Sequence, residues 1–113
     1  MKKALLFVML LFPLAVSADD SGTCGENLTY TFIEATKTLT ISGVGPMQDY
    51  VVSYPYDEAA PWFSYRANIK TVIIEEGVTS IGIEAFSCLG ALTYIEIPNS
   101  VTSIGTNAFY LCI

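Results

Sequence analysis

A 23-residue stretch occurs twice in succession at the end of the chain, and nothing else in the sequence constrains the fold as much. Residues 69–91 read IKTVIIEEGVTSIGIEAFSCLGA, and residues 92–113 read LTYIEIPNSVTSIGTNAFYLCI. Apolar positions fall in register: Ile69 with Leu92, Val72 with Ile95, Ile74 with Ile97, Val78 with Val101, Ile81 with Ile104, Ala85 with Ala108 and Phe86 with Phe109. Gly82 and Gly105 coincide as well. A unit this short cannot cover its own apolar face, so neighbouring units must stack and share one interior.

Each unit divides into three pieces. Lys70 to Ile74 and Thr93 to Ile97 alternate as strands and are expected side by side and parallel, with Val72, Ile74, Ile95 and Ile97 inward. Thr71, Ile73, Tyr94 and Glu96 then point outward and are the candidate partner-binding residues. Glu75-Glu76-Gly77 and Pro98-Asn99-Ser100 turn the chain into a second short strand, Thr79 to Ile81 and Thr102 to Ile104. Gly82 and Gly105 turn it again, and Glu84 to Ser87 and Asn107 to Leu111 are expected to make about one helical turn. A period of 20 to 29 residues that opens with an apolar L-x-x-I-x-I pattern marks a leucine-rich-repeat coil. The expected fold is therefore mainly β: a leucine-rich-repeat solenoid of two 23-residue coils, with short parallel strands and one helical turn per coil.

Ahead of the repeats, Leu28, Tyr30 and Phe32 alternate with Thr29, Thr31 and Ile33. After Glu34-Ala35-Thr36-Lys37 the alternation resumes with Leu39 and Ile41. This period of two predicts an antiparallel hairpin that caps the first coil. Gly43-Val44-Gly45-Pro46 ends it. Residues 47–60 have no sustained period and carry Tyr50, Tyr54 and Tyr56, so they form a loop with aromatic surface. Pro61 can open a short helix whose Trp62, Phe63 and Tyr65 cover the entry to the repeats. Aromatics in such a place are expected as lid and core, and an exposed cluster would change that reading.

Met1–Ala18 has the form of an address: Lys2 and Lys3, an apolar run from Ala4 to Val16, and small residues at Val16-Ser17-Ala18. The domain plan is thus 1–18 signal peptide, 19–68 hairpin and aromatic cap, and 69–113 two repeats, the second incomplete. Secretion or display at the cell surface follows, with no membrane insertion after cleavage. From Asp19 onward all eleven acidic residues remain against Lys37, Arg66 and Lys70, a net charge of −8. Nucleic acid and anionic membrane are poor partners for such a chain, because both select basic patches. Export permits disulfides, and Cys88 and Cys112, one unit plus one residue apart, are a possible pair that stacked coils would bring near one another. Buried free thiols, including Cys24, are the competing expectation.

The words GVTSIGIEAF at residues 77–86 and IPNSVTSIGTNAF at residues 97–109 resemble the BspA-type leucine-rich repeat of bacterial and protist surface and secreted proteins. TCGENLTYTF, TLTISGVGPM and APWFSYRANIKTVIIEEGVTSIG resemble the segment that precedes such repeats. The resemblance implies adhesion, with binding of host proteins or other cells, and brings no catalytic residues. Cys112 keeps the family's usual cysteine position, whereas Leu89 stands at its counterpart and Cys88 one residue early.

The chain contains no histidine, which excludes Ser-His-Asp and Cys-His nucleophile pairs and the commonest zinc ligand. Gly77–Gly82 lacks the G-K-[ST] of a phosphate loop. Glu75, Glu76 and Glu96 lie near one another in the repeat scheme and define a remote alternative, a carboxylate-based glycoside hydrolase. Asp49, Asp57 and Glu58 fit no calcium-loop spacing. No cofactor or metal is expected, and no enzyme. Asn27-Leu28-Thr29 is a possible glycosylation sequon at Asn27. The function expected first is an extracellular protein-binding module of the adhesion type, with a protein or glycan ligand on host or neighbouring cells. The alternative is the N-terminal fragment of a larger repeat adhesin with only a structural capping role. On that alternative the unpaired C-terminal edge invites self-association.

Overall fold

The computed structural model describes residues 19–112. The expected leader, residues 1–18, and the final residue lie outside the described residues. The chain is mainly β, and its only helical element among the described residues is one 3-10 turn at Phe63–Tyr65.

The alternating region makes three strands where a hairpin of two is expected: β1 (Asp20–Gly25), β2 (Leu28–Ile33) and β3 (Thr38–Gly43), each antiparallel to the next. The polar lead becomes β1 because its ends are tied down. The Asp19 carboxylate accepts the Glu34 N–H, the Tyr30 hydroxyl donates to Asp20 Oδ2 at 3.1 Å, and Cys24 is fully buried. Gly45–Pro46 also continues pairing instead of ending it, as β4, parallel to β6 (Val78–Ile81). Proline is tolerated there because β4 is an edge strand.

β3 lies parallel to β5 (Thr71–Ile74), and β5 parallel to β7 (Tyr94–Glu96), completing a five-stranded sheet in the order β1-β2-β3-β5-β7. Val72 is in register with Leu39 on one side and Ile95 on the other. A second sheet runs β4-β6-β8, with β8 at Ser103–Ile104. Between the sheets sits one core that includes Phe32, Leu39, Ile41, Val72, Ile74, Val78 and Ile81. Trp62 is fully buried, stacks on Phe86 at 5.4 Å, and donates its indole N–H to the Ala85 carbonyl at 2.8 Å. Phe86 in turn stacks on its repeat counterpart Phe109 at 5.5 Å. The aromatics ahead of the repeats thus stand where the ring of a preceding unit would.

Three details depart from the sequence reading. The segments after Gly82 and Gly105 are turns and not helices. Glu84 and Cys88, and their counterparts Asn107 and Leu111, hold φ between 54° and 67°, and a left-handed residue stops helix propagation. The amides so freed reach the next unit: Glu84, Phe86 and Cys88 donate to Thr106, Ala108 and Tyr110 at 3.1, 2.8 and 2.7 Å. The two glycines serve close approach, since a Cβ on Gly82 would lie 1.9 Å from the Gln48 carbonyl oxygen and one on Gly105 2.5 Å from the Ile83 nitrogen. Finally Ile97, expected inward, is exposed, because among the described residues nothing pairs with the far edge of β7.

Candidate functional site

Register builds the outer face of the five-stranded sheet into rows. Thr71 pairs with Tyr94 and Ile73 with Glu96, so the four residues chosen from sequence do share one face. Tyr94 and Glu96 are exposed; Thr71 and Ile73, flanked by strands on both sides, are half-buried. The Tyr94 hydroxyl lies 3.4 Å from Glu96 Oε1, a weak contact that leaves the ring free to meet a partner.

The same rows continue beyond the repeats, which sequence reasoning missed. Thr38 pairs with Thr71 and Thr40 with Ile73, while Ile33 and Thr31 on β2 pair with Thr38 and Thr40. The face therefore reads Ile33-Thr38-Thr71-Tyr94 in one row and Thr31-Thr40-Ile73-Glu96 in the next. Every residue in the two rows is uncharged except Glu96 at the edge. The signal was present in the Thr-x-Thr alternation of β2 and β3; what sequence could not supply was the parallel pairing of β3 with β5.

The remaining candidates are dispersed. Glu75, Glu76 and Glu96 rim one open hollow of about 480 Å3, and all three are exposed. A hydrolytic pair depends on one carboxyl held protonated by a dry environment, and this hollow is a wet rim. Asp49, Asp57 and Glu58 rim a second hollow of about 510 Å3. Asp49 Oδ1 there accepts the Ile83 N–H at 2.8 Å, which clamps the loop onto the first repeat. Among the described residues no cluster of three His, Cys, Asp or Glu side chains is placed to hold a metal ion.

Cys24, Cys88 and Cys112 are free thiols. Burial pushes the Cys24 thiol up to about 12. Burial also raises Cys112, a backbone hydrogen bond at Leu89 lowers it in part, and the neighbouring Cys88 raises it further. The Cys112 thiol donates to the Phe86 carbonyl at 3.0 Å. Asn27 is exposed on the β1–β2 turn. Of the loop tyrosines, Tyr50 packs edge-on against Trp62 at 5.8 Å as a core residue, whereas Tyr54 and Tyr56 are exposed. Tyr50 is thus the core aromatic, and Tyr54 and Tyr56 are the aromatic surface expected of this loop.

A chain whose 23-residue units pair strand to strand, in parallel and in register, is a repeat protein. Residues 59–113 match the model of a family described as a BspA type leucine rich repeat region of six copies. Residues 59–113 are thus a BspA-type leucine-rich repeat region. Its structure is similar to the crystal structure of a leucine-rich repeat protein from Eubacterium ventriosum ATCC 27560, with a TM-score of 0.67 and 32% sequence identity over 80% of this chain. The match spans 23% of that longer protein. Among curated proteins none is matched. No helix among the described residues is long and apolar enough to cross a membrane.

Proposed function

We propose that this chain is an exported, adhesion-type binding module that engages a protein partner through the outer face of its five-stranded sheet. In this reading residues 1–18 direct export and are removed, residues 19–68 close one end, and residues 69–113 wind as two coils of a solenoid. The single observation that carries it is the continuous row of uncharged side chains across β2, β3, β5 and β7, ending on the exposed ring of Tyr94. Strongly acidic proteins repel acidic partners at most of their surface, and a hydroxyl- and ring-bearing face whose one carboxylate, Glu96, stands at its edge is where close contact costs least desolvation. Tyrosine is a residue type that anchors interfaces. The ligand would stand on host or neighbouring cells, and Asn27, on the opposite end of β2 from Ile33, could carry a glycan without covering the rows.

Capture of purified extracellular matrix proteins on the immobilised protein tests the reading. The Ile73→Ala/Tyr94→Ala double variant is expected to bind at least tenfold more weakly than the parent, and undiminished capture would remove this face from consideration.

A second reading rests on a different observation, the exposed Ile97 and Ile104 beside the free edges of β7 and β8. Here the chain is chiefly the starting end of a longer repeat array, and on its own it pairs edge to edge with another copy. Size-exclusion chromatography distinguishes the two: the finished module elutes as a monomer, the open edge as concentration-dependent dimers.

A further inference from the structure

The sheet face accounts for none of the exposed tyrosines on the side of the molecule formed by loops and turns. Residues of the 52–56 loop and the turns that close the two repeats enclose an open cleft of about 420 Å3. Tyr54, Tyr56 and Tyr110 line it together with Glu84 and Asn107. Tyr54 is 85% exposed and Tyr110 57%, although the same chain buries Tyr30, Tyr50 and Trp62. Large rings left in water around a concavity are a feature that folding does not call for.

The backbone under these rings is pinned. Glu84 Oε1 accepts the Val52 N–H at 2.7 Å, the Tyr56 N–H donates to the Ser53 carbonyl at 2.6 Å, and the buried Ser87 hydroxyl donates to the Asn107 carbonyl at 2.7 Å. The Cys88 N–H donates to the Tyr110 carbonyl at 2.7 Å. Tyr56 is backed by Phe63 at 5.2 Å and meets Tyr54 edge-on at 5.9 Å. A preformed arrangement loses little entropy when a ligand arrives.

The lining also selects the ligand. No Lys or Arg borders the cleft, and its charged member is the Glu84 carboxylate, so an anion is repelled. The volume lies in the range of about 300–1,000 Å3 typical of small-ligand sites. Tyrosine offers an apolar ring face at low conformational cost, while the second oxygen of Glu84 and the exposed Asn107 amide offer an acceptor and both kinds of hydrogen-bonding group. Apolar ring faces beside hydroxyl-seeking polar groups match a neutral sugar, which has a C–H face and a rim of hydroxyls. We propose that this cleft binds a neutral oligosaccharide, with Tyr54 and Tyr110 as stacking platforms and Glu84 and Asn107 taking hydrogen bonds from its hydroxyls.

Calorimetric titration with cellohexaose, chitohexaose and mannohexaose, and with hexagalacturonic acid as the anionic control, tests this. At least one neutral hexasaccharide is expected to bind and the acidic one not. Tyr54→Ala and Tyr110→Ala should each weaken binding about tenfold or more, equivalent to removing one good contact. Glu84→Gln, which keeps an acceptor for Val52, should weaken it severalfold, and Ile73→Ala/Tyr94→Ala on the sheet face should leave it unchanged. Because Tyr54 is almost fully exposed, its removal leaves the fold intact and its result alone is decisive. The proposal fails if no neutral hexasaccharide binds, if binding survives Tyr54→Ala undiminished, if hexagalacturonic acid binds equally well, or if a lysine- and arginine-rich decapeptide occupies the same tyrosines and the sugars do not.

Discussion

The two repeats share one apolar pattern in different surroundings, and their burial differs accordingly. Ile74 is 2% exposed and its counterpart Ile97 40%; Ile81 is 2% exposed and Ile104 52%. Val72 and Phe86 are fully buried, while Ile95 and Phe109 are half-buried. The first unit has β3, β4 and Trp62 on one side and the second unit on the other; among the described residues the second has a neighbour on one side only. The pattern of a unit thus decides which side chains face inward, and the neighbours decide how dry that interior becomes. Stability should therefore be unequal between positions that the sequence treats as equivalent.

The largest inequality is expected at the stacked phenylalanines. Phe86 lies between Trp62 and Phe109, so Phe86→Ala removes two ring contacts and opens a cavity that cannot collapse, at a cost of about 3–5 kcal/mol. Phe109→Ala removes one contact beside solvent and should cost roughly half as much. Urea unfolding followed by Trp62 fluorescence measures both; equal losses would mean that something shields Phe109 as fully as Phe86. The isoleucines make the same comparison at smaller scale. Ile74→Ala is expected to cost about 2–5 kcal/mol and Ile97→Ala under about 1 kcal/mol.

Much of this arrangement could be read in the sequence, for a physical reason: a strand that buries one face repeats with period two, and a stacked unit repeats with its own length. Those rules placed Val72 beside Ile95 and put Thr71, Ile73, Tyr94 and Glu96 on one face. They were silent on β1, whose Gly22 and Gly25 carry no strand signal and whose order comes from partners fifteen and ten residues away, Glu34 with Asp19 and Tyr30 with Asp20. Glu84 to Ser87 reads as a helical turn in the sequence because Glu-Ala-Phe-Ser suits a helix locally. Amide pairing with the next unit outweighs that preference, and pairing between units is invisible to a window one turn long. Gly82 and Gly105 showed as punctuation, though their role is to let backbones approach. The aromatic surface of residues 47–60 is legible in the sequence, whereas the exposure of Tyr110 is not, since the letter is the same whether the ring turns in or out.

A pH experiment sharpens the contrast between the dry and the wet end. Burial pushes the Cys24 thiol from its ordinary 9 to about 12, and Tyr30 rises from 10 to about 12, chiefly through burial and then through its bond to Asp20. Both groups are thus held neutral in the folded chain. Their contribution is fully present below the unfolded values and is lost as pH rises from 9 through 12, at up to about 1.4 kcal/mol per pH unit for Cys24. Cys24→Ala should flatten the decline between pH 9 and 10, leaving above pH 10 the part due to Tyr30 and to Tyr50, which burial raises likewise. Cys112, half-buried in the second unit, is raised for the same reason, but solvent shares its environment and Cys112→Ala should change the slope much less. Unfolding midpoints at pH 8, 9.5 and 11 decide the matter, and identical slopes for the two variants would contradict the difference in burial.

The smallest effect falls where the two units differ by one side chain. Ser100 stands at the repeat position of Gly77, and its hydroxyl bridges the units: it donates to the Val78 carbonyl at 2.8 Å and accepts the Gly77 N–H at 3.1 Å. The first unit cannot use the same bridge, because Gly77 has φ +112° and a Cβ there would lie 2.3 Å from the Gly43 carbonyl oxygen. It meets its upstream neighbour with backbone instead, the Gly45 N–H donating to the Gly77 carbonyl at 2.9 Å. Ser100→Ala leaves a half-buried donor and acceptor unpaired and should cost about 1 kcal/mol. Thr102→Val removes a longer, exposed bond to the Thr79 carbonyl at 3.3 Å, where water substitutes, and should stay within about 0.5 kcal/mol. If the threonine variant loses as much as the serine variant, then the second unit is held by the number of its hydrogen bonds and not by their burial, and the inequality between the repeats would need a different cause.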